Sequence, residues 1–186
     1  MYLTFDDGPH PFATPFVLEQ LRKYGAKASF FCVGNNVKQY PELIKQIIEE
    51  GHQLGNHTMH HVNGWKTEDE AYLKDVEAAA ELIPTGWFRP PYGRIKLRQY
   101  HQLKQAIPGL KVMMWDVLSA DFDQSLTGEV CAHNVIQNAG PGSVVVFHDS
   151  TRAWERLEKA LPQVLEHFSA AGYEFRALPE PAFLED

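Results

Sequence analysis

The sequence predicts an α/β fold in which parallel strands are covered by helices, either doubly wound or closed into a barrel. Three observations carry this. Strand-like and helix-like segments alternate from one end of the chain to the other, and strict alternation is the mark of βαβ units. Titratable residues gather where strands end and the loops to helices begin, the edge at which parallel α/β folds collect their chemistry. The loops leading back into strands, "KYGAK", "EEGH", "IPTG", "IPGL", "NAGPG" and "SAAGY", are turn residues with little chemistry. No Gly-x-Gly-x-x-Gly follows a strand, so a dinucleotide-binding form has no support.

The elements follow in order. "MYLTF" (1–5) is apolar and β-prone. Residues 12–24 place Phe16, Val17, Leu21 and Tyr24 at helical spacing. "KASFFCVG" (27–34) is a strand. Pro41 opens a helix through Glu50 with Leu43, Ile44, Ile47 and Ile48 inward, and Gly51 stops it. "HQLGNHT" (52–58) is a short, weak strand. Thr67, followed by three acids, caps a helix running to Leu82. "TGWFRPPYG" (85–93) is a strand ended by prolines, 95–107 a helix, and "LKVMMWDVL" (110–118) a strand. Thr127 caps a helix over 127–139, and "GSVVVFHDS" (142–150) is the clearest buried strand. A helix over 152–171 and a strand "YEFRAL" (173–178) complete seven strands and six helices. Residues 1–180 read as one domain, and 181–186 as a tail.

Composition narrows the function. The 186 residues suffice for one domain with a core, and 44% hydrophobic with 22% charged residues is ordinary globular usage. A net charge of −7 argues against gripping a phosphate backbone, so no nucleic-acid partner is expected. No Lys/Arg cluster marks a membrane surface, and "VVVF" (144–147) is far too short to span one. "MYLTF" reads as a strand rather than a signal peptide. The compartment stays open: cytoplasmic as written, or cell envelope if an N-terminal segment precedes it. Cys32 and Cys131 match no metal-ligand spacing and read as buried free thiols.

"TFDDGPHP" (4–11) carries two adjacent carboxylates beside a buried-looking strand, an arrangement that costs energy unless something compensates. "HTMHH" supplies one answer. His57 and His61 are four apart, so a turn can aim both imidazoles at one point, and a carboxylate completes a two-His-one-carboxylate metal site. His60 falls between them, outside the ligand set. Arg89 in "FRPPYG" supplies the other answer: its fork suits the Asp that does not bind metal and keeps it ionised as a base. The prolines hold the loop so that the Tyr92 amide is exposed. His148 in "FHDS" is a candidate general acid if a carboxylate raises its pKa. Asp121 suits that role, with Asp116 and Asp149 as competitors.

In this order, "TFDDG", "HTMHH", "RPPYG", "WDVLSADF" and "VVVFHD" resemble the five motifs of polysaccharide deacetylases, the NodB-homology group or carbohydrate esterase family four. The resemblance covers residues 2 to 150. It implies a distorted (β/α) barrel of about seven parallel strands, similar to a TIM barrel. It further implies metal-dependent removal of N-acetyl groups from amino sugars in a polymer such as chitin or peptidoglycan. Carried over by motif, Asp7, His57 and His61 hold one divalent metal, usually zinc, although cobalt, nickel or manganese accept the same donors. Asp6 is the general base and Arg89 its tether. The Tyr92 amide serves the oxyanion, His148 is the general acid, and Asp121 is its partner. The last two motifs depart from the family: Leu118 stands where Asp is frequent, Phe122 where Trp, and Val146 where Leu. Phe122 and Val146 still offer an acetyl methyl an apolar surface, of altered shape. Trp65 and Trp87 serve either as sugar platforms or as core.

Two other enzyme readings share parts of this set. A hydrolase of a small non-sugar amide keeps the fold and metal, and the altered groove residues allow it. An iron oxygenase uses the same ligand types, but strand–helix alternation argues against it. A carbohydrate-binding protein that lost catalysis would lack the base or the acid, whereas Asp6, Arg89, Asp121 and His148 are all present.

Overall fold

A computed structural model describes residues 1–180; the expected tail at 181–186 lies outside them. In chain order the elements are β1 (Tyr2–Asp6), α1 (Ala13–Lys23), β2 (Ala28–Cys32), α2 (Gly34–Gln39), α3 (Pro41–Glu49), β3 (Gln53–Asn56) and α4 (Asp69–Ala80). Then come β4 (Trp87–Phe88), a 3-10 turn (Pro91–Gly93), α5 (Leu97–Ala106), β5 (Lys111–Val112), β6 (Val117–Leu118), α6 (Gly128–Asn138), β7 (Val144–His148) and α7 (Trp154–Ala170).

The seven strands form one parallel sheet in the order β5-β4-β3-β2-β1-β7-β6. Its two edges are β5 and β6, yet only residues 113–116 join them. A flat sheet of this size holds its edges about 29 Å apart, whereas five residue steps reach at most about 18 Å. The sheet therefore curls into a distorted half-barrel, and the short link spans its opening.

Side chains alternate between the two faces of this curl. Leu3, Phe5, Ala28, Phe30, Leu54, Val145 and Phe147 face the helices and form the main core with α1, α6 and α7. Phe5 stacks between Phe30 and Phe147, at 5.1 and 6.1 Å between ring centroids. The opposite face lines the barrel interior. At its base Tyr2, Phe31, Trp87, Met113, Val144 and Leu178 make an apolar plug. Gly55 pairs with Phe31 across the sheet, and a β-carbon there would stand 2.3 Å from the Phe31 ring. Above the plug lies Arg89, and above Arg89 the interior opens.

Two expected elements differ in the structure. The segment 110–118 is two strands on opposite edges of the sheet. Its break falls where the Met113 and Met114 carbonyls accept Arg89 Nε and Nη2, each at 3.0 Å, and so leave the ladder. Residues 173–178 form no strand. Both edges of β1 are taken by β2 and β7, and those of β2 by β1 and β3. The segment crosses the barrel base with isolated bonds: Lys27 N donates to Phe175 O, and Arg176 N donates to Met1 O. Its Leu178 enters the plug, and the indole of buried Trp87 donates to Pro179 O at 2.8 Å, so Trp87 is core.

Thr127 caps α6 as expected, accepting from Val130 N. Thr67 does not cap α4. Its hydroxyl donates back to Asn63 O at 2.8 Å, and Glu68 takes the cap position. Helix α2 was not expected. Its sequence buries only Gly34 and Val37, and its first amides are held from outside, by Thr58 O and Met59 O. Cys32 and Cys131 are buried free thiols, and burial pushes both upward, Cys131 to about 11.

Candidate active site

The C-terminal ends of the strands surround a cleft of about 870 Å³. Asp6 and Asp7 leave β1, His57 and His61 follow β3, Tyr92 follows β4, and Phe122, Val146 and His148 come from the β6 and β7 side. All eight line the cleft. Arg89 and Asp121 stand behind it, each with no exposed surface. The ten expected site residues thus assemble in one place. Leu118 joins the wall, more than a third exposed.

The backbone is strained here. Among the described residues, five non-glycine residues have positive φ: Asp7 (79°), Thr58 (66°), His61 (55°), Tyr92 (60°) and Ala120 (63°). Each costs roughly 1–2 kcal/mol, and each is one of the set or its chain neighbour. Such clustering marks a place where side-chain direction outweighs backbone comfort.

Asp6 and Asp7 are adjacent but face different partners. Arg89 Nη1 donates to Asp6 Oδ1 at 2.7 Å and to Thr4 Oγ1 at 2.8 Å. With its other nitrogens on the Met113 and Met114 carbonyls and its guanidinium 4.0 Å over the Phe31 ring, Arg89 has a single orientation. Asp7 turns the other way. Its Oδ1 lies 3.1 Å from His61 Nε2 and 3.7 Å from His57 Nε2. That oxygen is buried and has no hydrogen bond. Burial pushes the Asp7 carboxyl up, but the imidazoles of His61, His148 and His57 more than offset it and hold it well below the usual range. Asn36 Nδ2 fixes the Asp7 carbonyl at 2.7 Å.

His57 is 2% exposed, and its Nδ1–H donates to Arg89 O at 2.7 Å, which leaves the Nε2 lone pair toward Asp7. Burial lowers its pKa to about 4 despite the nearby Asp6 and Asp7 charges, so the ring is neutral at pH 7. One ligand atom each from Asp7, His57 and His61 lies within 4.8 Å of the other two. Among the described residues this is the one such group of His, Cys, Asp and Glu. An unsatisfied carboxylate oxygen facing two imidazole nitrogens is the donor set of a first-row divalent cation, so the residues fit a metal.

Across the cleft, Asp121 grips His148 twice: the His148 amide donates to Oδ2 at 2.8 Å and its ring Nδ1 to Oδ1 at 2.7 Å. Burial alone would lower the imidazole pKa, but Asp121, with Asp7 and Asp6 beyond it, raises it to about 9. The ring is therefore charged at pH 7. Phe122 stands edge-on against it at 5.3 Å.

The competing carboxylates are used elsewhere. Asp116 Oδ1 accepts from Val144 N at 2.6 Å. Asp149 turns behind the Asp6–Asp7 segment, where Oδ1 accepts from Gly8 N at 3.1 Å and Oδ2 from Thr14 Oγ1 at 2.5 Å. Burial pushes Asp149 up to about 8 against the opposing Thr14 bond.

His60 stays outside the ligand set. It is exposed and pairs with Asp75 at 2.5 Å, and Asp75 also accepts from the Met59 and His60 amides. The turn after β4 closes through the Gly93 and Arg94 amides onto the Pro90 and Pro91 carbonyls. The Tyr92 amide has no acceptor among the described residues, and the Tyr92 ring packs 4.7 Å from His61.

Sequence reasoning missed five lining residues: Asn63, Lys66, Arg94, Trp115 and Arg152. All but Trp115 follow a motif by a few residues, and Trp115 opens one. Proximity to "HTMHH", "RPPYG" and "FHD" was the signal available.

Comparison with known proteins agrees with this geometry. The family model described as polysaccharide deacetylase matches residues 1–107. A peptidoglycan-N-acetylglucosamine deacetylase of Bacillus cereus is 35% identical over 185 residues, 96% of this chain and 85% of that one. A chitooligosaccharide deacetylase of Azorhizobium caulinodans is 30% identical, covering 96% and 92% of the two chains. The structure of the peptidoglycan deacetylase PdaC from Bacillus subtilis superposes with a TM-score of 0.85 at 29% identity, over 95% of this chain and 86% of that one. With its curled parallel sheet and its motif residues gathered in one cleft, the chain belongs to the polysaccharide deacetylase family.

Proposed function

We propose that this protein hydrolyses the N-acetyl group of amino sugars in a glycan, releasing acetate and leaving a free amine. The observation that carries this reading is the division of two adjacent carboxylates. Asp6 is locked to Arg89, whereas Asp7 faces two imidazoles. A charged His148 stands across the same cleft. The names of the relatives, one acting on peptidoglycan and one on chitooligosaccharide, share this reaction.

Asp7, His57 and His61 would hold one divalent cation, with zinc the natural choice for two imidazoles and a carboxylate. Bound there, it would make a water more acidic and polarise the acetyl carbonyl. Asp6, kept ionised by Arg89, takes a proton from the attacking water. The Tyr92 amide donates to the oxygen that gains negative charge. His148 gives its proton to the departing nitrogen, so an amine leaves rather than an amide anion. Asp121 holds the imidazolium in that direction. Phe122, Val146 and Leu118 form the apolar wall that an acetyl methyl would meet. Among the described residues no helix is long and apolar enough to cross a membrane.

The test is acetate release from chitin oligomers and from N-acetylated peptidoglycan fragments, comparing metal-stripped protein with protein reloaded with zinc. Release that depends on the metal is expected. No release from either substrate by the loaded protein would overturn the reading in favour of a small-amide hydrolase or a binding protein.

A further inference from the structure

Asp7 leaves β1, whereas His57 and His61 follow β3, and β2 lies between those two strands. Strand ends two places apart in a sheet stand about 10 Å from each other. The ligand atoms of the three residues nevertheless lie within 4.8 Å of one another. Both loops therefore lean over the end of β2, and both do so in strained backbone, with φ of 79° at Asp7, 66° at Thr58 and 55° at His61. Backbone of this kind persists only where its surroundings hold it.

On the β2 side it is held by a segment that carries no ligand. Residues 33–36, which follow β2, touch both loops. Toward β1, the Val33 amide donates to Gly8 O at 2.9 Å and Asn36 Nδ2 donates to Asp7 O at 2.7 Å, so two successive carbonyls of the Asp7 loop are fixed. Toward β3, the Gly34 and Asn35 amides donate to Thr58 O at 2.9 Å and to Met59 O at 3.0 Å. Residues 33–36 are thus a spacer between Asp7 and the histidine loop. Of these four bonds, the one from Asn36 comes from a side chain and can be removed by substitution.

The histidine loop has a second support, from α4. Asp75 Oδ1 accepts from the Met59 and His60 amides at 2.8 and 3.0 Å, and Oδ2 meets His60 Nδ1 at 2.5 Å. The Asp75 side chain is 11% exposed. Beside it, Asn56 Nδ2 donates to Val76 O at 3.0 Å and pins α4 to the end of β3. Met59, midway between the two imidazoles, is thereby held at both ends, its amide by Asp75 and its carbonyl by Asn35.

We infer that Asn36 and Asp75 are positioning residues of the metal site: neither is a ligand, and together they set the spacing of Asp7 from His57 and His61. This rests on the reading of those three residues as a metal site. With both supports in place a cation meets ligands that are already ordered. Without either one, the cost of ordering them falls on metal binding.

The test uses this chain stripped of metal. Zinc affinity is measured by competition with a chromogenic chelator, and ligand geometry by the visible absorption bands of cobalt(II) bound in zinc's place. Asn36→Ala and Asp75→Ala should each weaken zinc by about tenfold or more, the loss that follows when groups orienting metal ligands are removed. Each should also alter the cobalt bands. Asp75→Asn keeps an oxygen acceptor for the two amides, so it should recover most of the affinity. Asn35→Ala, with an exposed side chain on the same helix, leaves its own amide in place and should match wild type. Melting of the metal-free proteins reads stability separately. Wild-type zinc affinity and unchanged cobalt bands in both alanine variants would overturn the inference, even with lowered melting temperatures, because the two residues would then be structural only. If Asp75→Ala does not fold, Asn36→Ala, which removes one half-buried amide, decides the question by the same two readouts. A wild-type protein that binds neither zinc nor cobalt would overturn the metal reading and this inference with it. Neither readout needs turnover, so the result stands apart from whether a glycan is the substrate.

Discussion

Arg89 donates to Asp6 Oδ1 at 2.7 Å with neither side chain more than 4% exposed. The same guanidinium caps the two carbonyls at which the sheet breaks between β5 and β6. One residue therefore orients the base and holds the barrel's opening. Arg89→Met should cost about 3–5 kcal/mol in urea unfolding, because it strands a buried carboxylate. Arg89→Lys should recover only part, since a point charge cannot reach both Asp6 and two carbonyls. A loss under about 1 kcal/mol for Arg89→Met would show that the pair is not structural.

The division between Asp6 and Asp7 is tested by metal. In titration calorimetry with zinc, His57→Ala, His61→Ala and Asp7→Asn should lose binding, and Asp6→Asn should keep it while losing turnover. The wild-type protein should melt at higher temperature with zinc, by the equivalent of about 2.7 kcal/mol when free metal is a hundred times Kd. A chelator should reverse this. If Asp6→Asn empties the site and Asp7→Asn does not, the two carboxylates have each other's roles.

Much of this was legible in the sequence because side-chain type and strand ends carry it. "TFDD", "HTMHH" and "VVVFHD" each put their titratable groups at the end of an apolar run, and alternation alone then gathers them at one edge. Less legible was whatever depends on a partner far along the chain. The run "LKVMMWDVL" is continuous in hydrophobicity, and only Arg89, more than twenty residues earlier, splits it by taking two of its carbonyls. "YEFRAL" has strand composition but meets a sheet whose central edges are already paired. Similarly, "GNNVKQ" has no helical stripe and is helical because Thr58 and Met59 accept its first amides. Lys66, Arg94 and Arg152 look like ordinary surface charges until the fold sets them around one cleft.

Asp149 explains a glycine. A β-carbon on Gly8 would stand 2.1 Å from Asp149 Oδ2, and that carboxylate is fixed by Thr14 and by the Gly8 amide itself. Gly8→Ala should therefore destabilise by about 2–3 kcal/mol, an overpacking cost. It should also lower turnover, because the displaced segment carries Asp6 and Asp7. Adding Asp149→Ala removes the clash, so the double variant should lose less than the two single losses summed, by 1 kcal/mol or more. Unfolding curves showing simple additivity would mean that Gly8 is required for some other reason.

The pH dependence follows from Asp121 and His148. A group whose pKa rises from about 6.5 unfolded to about 9 folded binds its proton more tightly in the native state. Its stabilisation is complete below about pH 6.5 and is lost as pH rises through about 9, on the order of 3 kcal/mol in the metal-free protein. Asp149, also raised, to about 8, moves stability in the same direction over a lower window, so a variant must separate the two. Asp121→Asn does so. It removes the charge that raises His148 and leaves burial unopposed, so the His148 pKa should fall below 6.5. In the zinc-loaded enzyme the basic limb of kcat/KM reports the same proton. It should lie at or somewhat below about 9, since a bound dication cancels the part that Asp7 supplies. Asp121→Asn should move it to below about 6.5 and cut the rate at pH 7 about fourfold or more, as the protonated fraction of His148 falls. A basic limb that stays in place in Asp121→Asn would assign the proton to a group other than His148.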